Sequence, residues 1–148
     1  MGRRATVPAE VLEPLESIFG SAVRGVRVIE HSLLTRLHGR AIATTRRRRI
    51  LLRGAAADFY LNPELMLHEY CHVLLQWESG ELTTLRYLRE WLRRGYRNNR
   101  FEVHAREFAQ THLQRFLAEQ LLAVVQPAGK ERQRDGERER DADGEREV

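Results

Sequence analysis

The chain contains one cysteine, four prolines, a single lysine and no long apolar run. With Cys71 alone no disulfide can close within the chain, so a folded state must rest on a packed core. No stretch approaches the roughly 18 consecutive apolar residues that span a bilayer. The longest apolar stripe, toward Val125, is interrupted by glutamines and a glutamate. The opening MGRRATVPAE has no apolar segment of the secretory kind, which sets the expectation of a cytoplasmic protein without a membrane partner.

The scarcity of lysine is one-sided: of 25 cationic side chains, all but Lys130 are arginine. That bias reads first as the base composition of a GC-rich genome and second as a surface for phosphate or carboxylate, which arginine grips in a bidentate fork. Arg46 to Arg49 and Arg93, Arg94, Arg97 and Arg100 form clusters. Neither has the interleaved aromatics of a nucleic-acid module, so nucleic acid is the least favoured partner.

At 148 residues the chain suits one domain with one core. After Pro127 the composition changes to AGKERQRDGERERDADGEREV, which holds six basic and eight acidic residues and almost nothing apolar. Such a segment cannot offset its ordering entropy by burial. The expected organisation is a domain over 1–127 and a charged disordered tail over 128–148.

Within the domain the elements are mixed. Pro8 suits a helix's first turn, with Val11, Leu12, Leu15 and Ile18 as its stripe and Gly20 as its stop. AVRGVRVIE and RAIATT alternate as strands do, and RILLR follows an arginine-rich turn. Asn62 and Pro63 start a helix that runs to Gly80. Thr83 or Thr84 caps the next, with Leu85, Leu88, Trp91 and Leu92 expected to face inward and Gly95 at its end. A last long helix begins near Asn99. The expected fold class is α+β, a small sheet followed by three helices.

The first of those three carries LMLHEYCHVLLQW. On a helix His68 and His72 lie one turn apart on one face, where two imidazoles can converge on one ion. Glu69 sits about 100° around from His68, beside such an ion without ligating it. That spacing suits a metal-activated water flanked by a carboxylate general base. Cys71 falls on a different face and reads as a small buried hydrophobe. His31, His38 and His104 have no ligand spacing.

A catalytic zinc takes three protein ligands and leaves a position open. An HExxHxxGxxH arrangement requires a glycine where this chain has Leu75 and a histidine where it has Glu78, and without the glycine the chain does not readily turn to deliver position 78. A glutamate from a later helix is the alternative. In NNRFEVHAREFA, Glu102 shares a face with Ala105 and Ala109, small residues that permit close approach. Asn99 and Glu102 also fit a capping box, so two roles compete for one carboxylate. Glu107 is the reserve, about 140° around the helix from Glu102, and His112 lies about 15 Å farther along it.

The span from RAIATTRRRRILL through LMLHEYCHVLLQW to YRNNRFEVHAREFA resembles the minimal gluzincins, small bacterial HExxH proteins. The resemblance covers roughly residues 40–110. It rests on HExxH, on Gln76 four residues after the second histidine, and on a stretch like N-x-x-x-E-x-x-A. It implies a zincin-like fold, a zinc ion held by His68, His72 and Glu102, Glu69 as general base, and a peptide or protein substrate. The long substrate-binding insertions of larger gluzincins such as thermolysin are missing. Tyr96 or Tyr60 is the expected hydroxyl donor to a developing oxyanion, and the RAIATT edge is a place for an extended peptide to add as a strand. A zinc metallopeptidase is therefore the leading function. A catalytically silent zinc-binding protein of the same fold, with regulatory or interaction roles, is the alternative, and a basic nucleic-acid module stands third.

Overall fold

The structure, a computed structural model, describes residues 2–37 and 42–125. The expected tail over 128–148 and the start of the RAIATT segment lie outside the described residues. The elements are β1 (Arg3–Ala5), α1 (Ala9–Phe19), β2 (Arg27–Glu30), α2 (Leu33–Leu37), β3 (Ala43–Arg46), β4 (Arg49–Leu52), α3 (Ala56–Tyr60), α4 (Pro63–Cys71), α5 (Thr84–Arg94) and α6 (Arg100–Val125). A short 3-10 segment, Ser21–Gly25, precedes β2, and a π-helical segment, His72–Trp77, continues α4. The architecture is α+β, as expected, with a small mixed sheet and several helices.

The sheet has the order β1-β2-β4-β3. The outer pairs are antiparallel and the central pair, β2 with β4, is parallel, with Val28 opposite Ile50. Three consecutive residues of β4, Ile50, Leu51 and Leu52, are buried, as suits an inner strand covered on both faces. β3 is an edge, and its turn to β4 carries Arg47 and Arg48, the latter at φ 58. β1 escapes the sequence pattern because an edge strand reading Arg-Arg-Ala shows no apolar alternation. AVRGVRVIE is only half a strand: Ser21–Gly25 winds instead, which buries Val23 in the core.

Val11 and Leu15 of α1 are buried, and Leu12 and Ile18 pack beside them. Pro8 caps this helix from outside, its carbonyl accepting from the Val11 and Leu12 amides. The cluster continues through Val28, Ile50 and Leu52 of the sheet to Met66, Leu67 and Tyr70 of α4 and Ala109 and Phe116 of α6. Ala105 and Ala109 are both buried where α6 meets α4. Their small side chains bring the two helix axes close, and that approach positions the site.

One expectation fails on α5. Leu85, Leu88, Trp91 and Leu92 do not turn inward; they are 77%, 47%, 46% and 72% exposed. The helix presents Tyr87 and Glu90 to the body instead, with Tyr87 bonded to Glu102 of α6 and Glu90 buried and paired along its own helix with Arg94. Leu15→Ala, which empties a fully buried position, is expected to lower unfolding free energy by about 2–5 kcal/mol in urea titration. Leu92→Ala at its exposed site should change it by less than about 0.5 kcal/mol.

Candidate metal centre

Asn62 starts α4: its Oδ1 accepts from the Leu65 amide at 3.1 Å, and Pro63 fills the first turn, where its missing N–H costs nothing. This cap fixes the helix phase that buries Met66, Leu67 and Tyr70 on the core side. His68 and His72 project from the adjoining face, toward the beginning of α6. There the sequence left two roles open for Glu102, and the capping one is filled by Asn99. Its Oδ1 accepts from the Phe101 amide at 3.0 Å and its carbonyl from the Val103 amide, so the helix start is capped without the Glu102 side chain.

The released carboxylate turns to the histidines. Glu102 Oε2 is 3.2 Å from His68 Nε2, Oε1 is 3.6 Å from His72 Nε2, and the two imidazole nitrogens are 3.0 Å apart. One ligand atom from each of the three residues lies within 4.8 Å of the others. Two bare imidazole nitrogens at that distance repel through their lone pairs unless a proton or a cation stands between them. Glu102 Oε2 is buried with no hydrogen bond among the described residues, close to His68 Nε2 but not aligned with it. Two imidazoles and a carboxylate with a free lone pair are the donor set of an open three-ligand zinc site, so the residues fit that ion.

The surroundings prepare these atoms for that role. Gln76 Oε1 lies 2.7 Å from His72 Nδ1, and the Gln76 amide nitrogen donates to the Phe101 carbonyl at 3.0 Å. Since that amide fixes the oxygen as acceptor, His72 keeps its proton on Nδ1 and offers Nε2 bare. His104, which has no ligand spacing, enters here through Nδ1, 3.0 Å from Gln76 Nε2. Tyr87 was not foreseen: its hydroxyl donates to Glu102 Oε1 at 2.8 Å. No motif flags it, because it reaches α6 from a separate helix. Gln76 was visible, by its place one turn beyond His72.

Electrostatics follow the burial. Burial alone would raise the Glu102 pKa, but the adjacent His68 and His72 imidazoles and the Tyr87 hydroxyl outweigh it and hold the carboxyl far below the usual range. His72 is moved the other way: burial works to lower its pKa, and the carboxylates of Glu102 and Glu69 win and raise it. Glu69 is buried beside the group and its pKa is raised, chiefly by desolvation against the pull of His72 and His68. A carboxyl so poised is suited to accept and return a proton.

Two adjoining hollows, of about 560 and about 440 Å³, both touch His68, Glu69, Ala43 and Tyr96. The cleft thus runs past the three ligands with the β3 edge along one wall. Tyr96 stands in it, its hydroxyl pushed up to about 12 by burial and the Glu102 carboxylate. Tyr60 does not line it; that ring lies against Phe59, 5.8 Å between centroids, so the expected second choice of hydroxyl falls away. Glu78 pairs with Arg48 at 3.5 Å, Glu107 is exposed, and His112 packs on Phe108. Cys71 is fully buried, its thiol pushed up to about 12 by desolvation, the state of an inert core cysteine.

Comparison with protein-family models, with curated proteins and with solved structures finds no match. The arrangement therefore speaks through its own chemistry. If this group holds a divalent cation, Gln76→Leu, which frees the His72 ring, is expected to weaken its binding by about 10–100-fold in competition with a chromogenic chelator. Glu102→Ala removes one of the three candidate ligands and should weaken it further.

Proposed function

We propose that this protein is a zinc-dependent metallopeptidase of the gluzincin type, in which His68, His72 and Glu102 hold the ion and Glu69 is the general base. The observation that carries the proposal is the convergence of those three side chains beside a buried glutamate of raised pKa, in an open cleft. When bound, zinc supplies a Lewis acid and acidifies water.

The chain's own residues do the rest. Glu69 takes the proton from the attacking water and passes it to the leaving amine, work that its raised pKa favours. Tyr96, in the cleft with its hydroxyl protonated, donates to the oxygen on which charge develops. Tyr87 holds Glu102 in its ligating position through Oε1. The free side of β3 offers backbone groups to an extended peptide, so the substrate is a peptide or protein segment bound by strand addition.

Glu69→Gln separates this function from a silent zinc-binding role. The variant is expected to retain about one zinc per chain and to lose hydrolysis of an unbiased peptide library by a factor on the order of 100–10,000. Elemental analysis and mass-spectrometric cleavage profiling measure the two. Metal-loaded wild type that cleaves nothing in the library favours the silent role. A folded chain that takes up no zinc on incubation overturns both.

A further inference from the structure

We propose that α5 docks the protein on an anionic lipid surface, lying in the headgroup plane with its leucine and tryptophan edge inserted and its arginines on the phosphates. The helix is nearly bare: of its eleven residues, Glu90 alone is buried. With each residue turned by about 100°, Trp91, Leu88, Leu92 and Leu85 fall within an arc of about 120°, and Arg89, Arg93 and Arg86 fill the adjoining arc of about 60°. Leu85 and Leu92, at 77% and 72% exposure, project away from the body. A contiguous exposed apolar edge of this kind marks an interaction surface.

Charge identifies the occupant. Between Leu82 and Arg100 the only carboxylate is Glu90, which is buried and paired with Arg94 at 3.5 Å, while Arg86, Arg89, Arg93, Arg97 and Arg100 are all exposed. The surface is therefore an apolar wedge bordered by cations with no exposed acid among them, the composition of a helix that lies in an anionic interface. A second copy of the chain would set arginine against arginine. A nucleic acid would pair the arginines yet leave the leucines and the indole in water. Lipid satisfies both halves at once. Leu88 and Trp91 also line the cleft, so docking opens the cleft toward the bilayer. That consequence rests on the proposed function, whereas the docking itself does not.

The test is flotation of the full chain with vesicles of phosphatidylcholine alone and of phosphatidylcholine containing about one third phosphatidylglycerol. Binding is expected to be at least about tenfold tighter to the anionic vesicles at low salt and to weaken as salt is added. Leu85→Glu/Leu92→Glu, remote from the metal ligands, should lose that binding by about tenfold or more with unchanged zinc content and melting temperature. Arg89→Glu/Arg93→Glu tests the other half and should lose it as well. Equal binding to both vesicles, binding to neither, or binding that survives both double variants overturns the proposal. So does tighter binding to an oligonucleotide than to the vesicles, or a dimer abolished by Leu85→Glu/Leu92→Glu in a chain that ignores lipid.

Discussion

Burying the Glu102 carboxylate and the His72 ring against a half-buried His68 places three polar groups at one point between α4 and α6, and the surrounding structure serves that constraint. Ala105 and Ala109 let α6 come near enough for the carboxylate to reach. Asn99 takes over the helix start so that Glu102 is free to leave it. Gln76 Oε1 meets the His72 ring while its amide nitrogen donates to the Phe101 carbonyl, and the Tyr87 hydroxyl donates to Glu102. These groups share partners, with Glu102 Oε2 left without a hydrogen bond, so the network is specified as a unit rather than pair by pair.

Glu69 obeys a different rule. It is one residue from His68, and its environment raises its pKa where that of Glu102 is lowered. The two carboxyls are shifted in opposite directions because desolvation dominates at Glu69 while the imidazoles and the Tyr87 hydroxyl dominate at Glu102. This division between a carboxyl held low and one held high is the feature on which the proposed hydrolysis rests. The sheet contributes by its topology: with β4 buried between β2 and β3, the open edge falls beside the histidines.

Much of this was legible in residue spacing. HExxH on a capped helix placed His68, Glu69 and His72, and the alanine spacing after Glu102 announced a close helix contact. What was not legible arose from tertiary pairing. Whether the Glu102 side chain caps its helix or turns to the histidines depends on where Asn99 points, and Tyr87 joins the network from a helix whose own pattern says nothing about it. The inward assignment of Leu85, Leu88, Trp91 and Leu92 failed because periodicity reveals that a helix has an apolar face without revealing what covers it. The edge strand Arg3–Ala5 is held by its neighbour and by Arg3 bonding to Glu30 at 2.7 Å, which no alternation encodes. The π-helical segment at His72–Trp77 likewise has no signature in the apolar pattern, though such turns recur where function distorts a helix.

The contact between His72 and Glu102 has a further mechanical meaning. Thirty residues of chain run from one to the other, and α5 rides within that loop with little buried surface of its own. The loop is pinned at its base by His72 against Glu102 and partway along by Tyr87, and an ion held at that base would act as a staple closing it. The orientation of an exposed helix is in this way tied to the integrity of a few buried atoms.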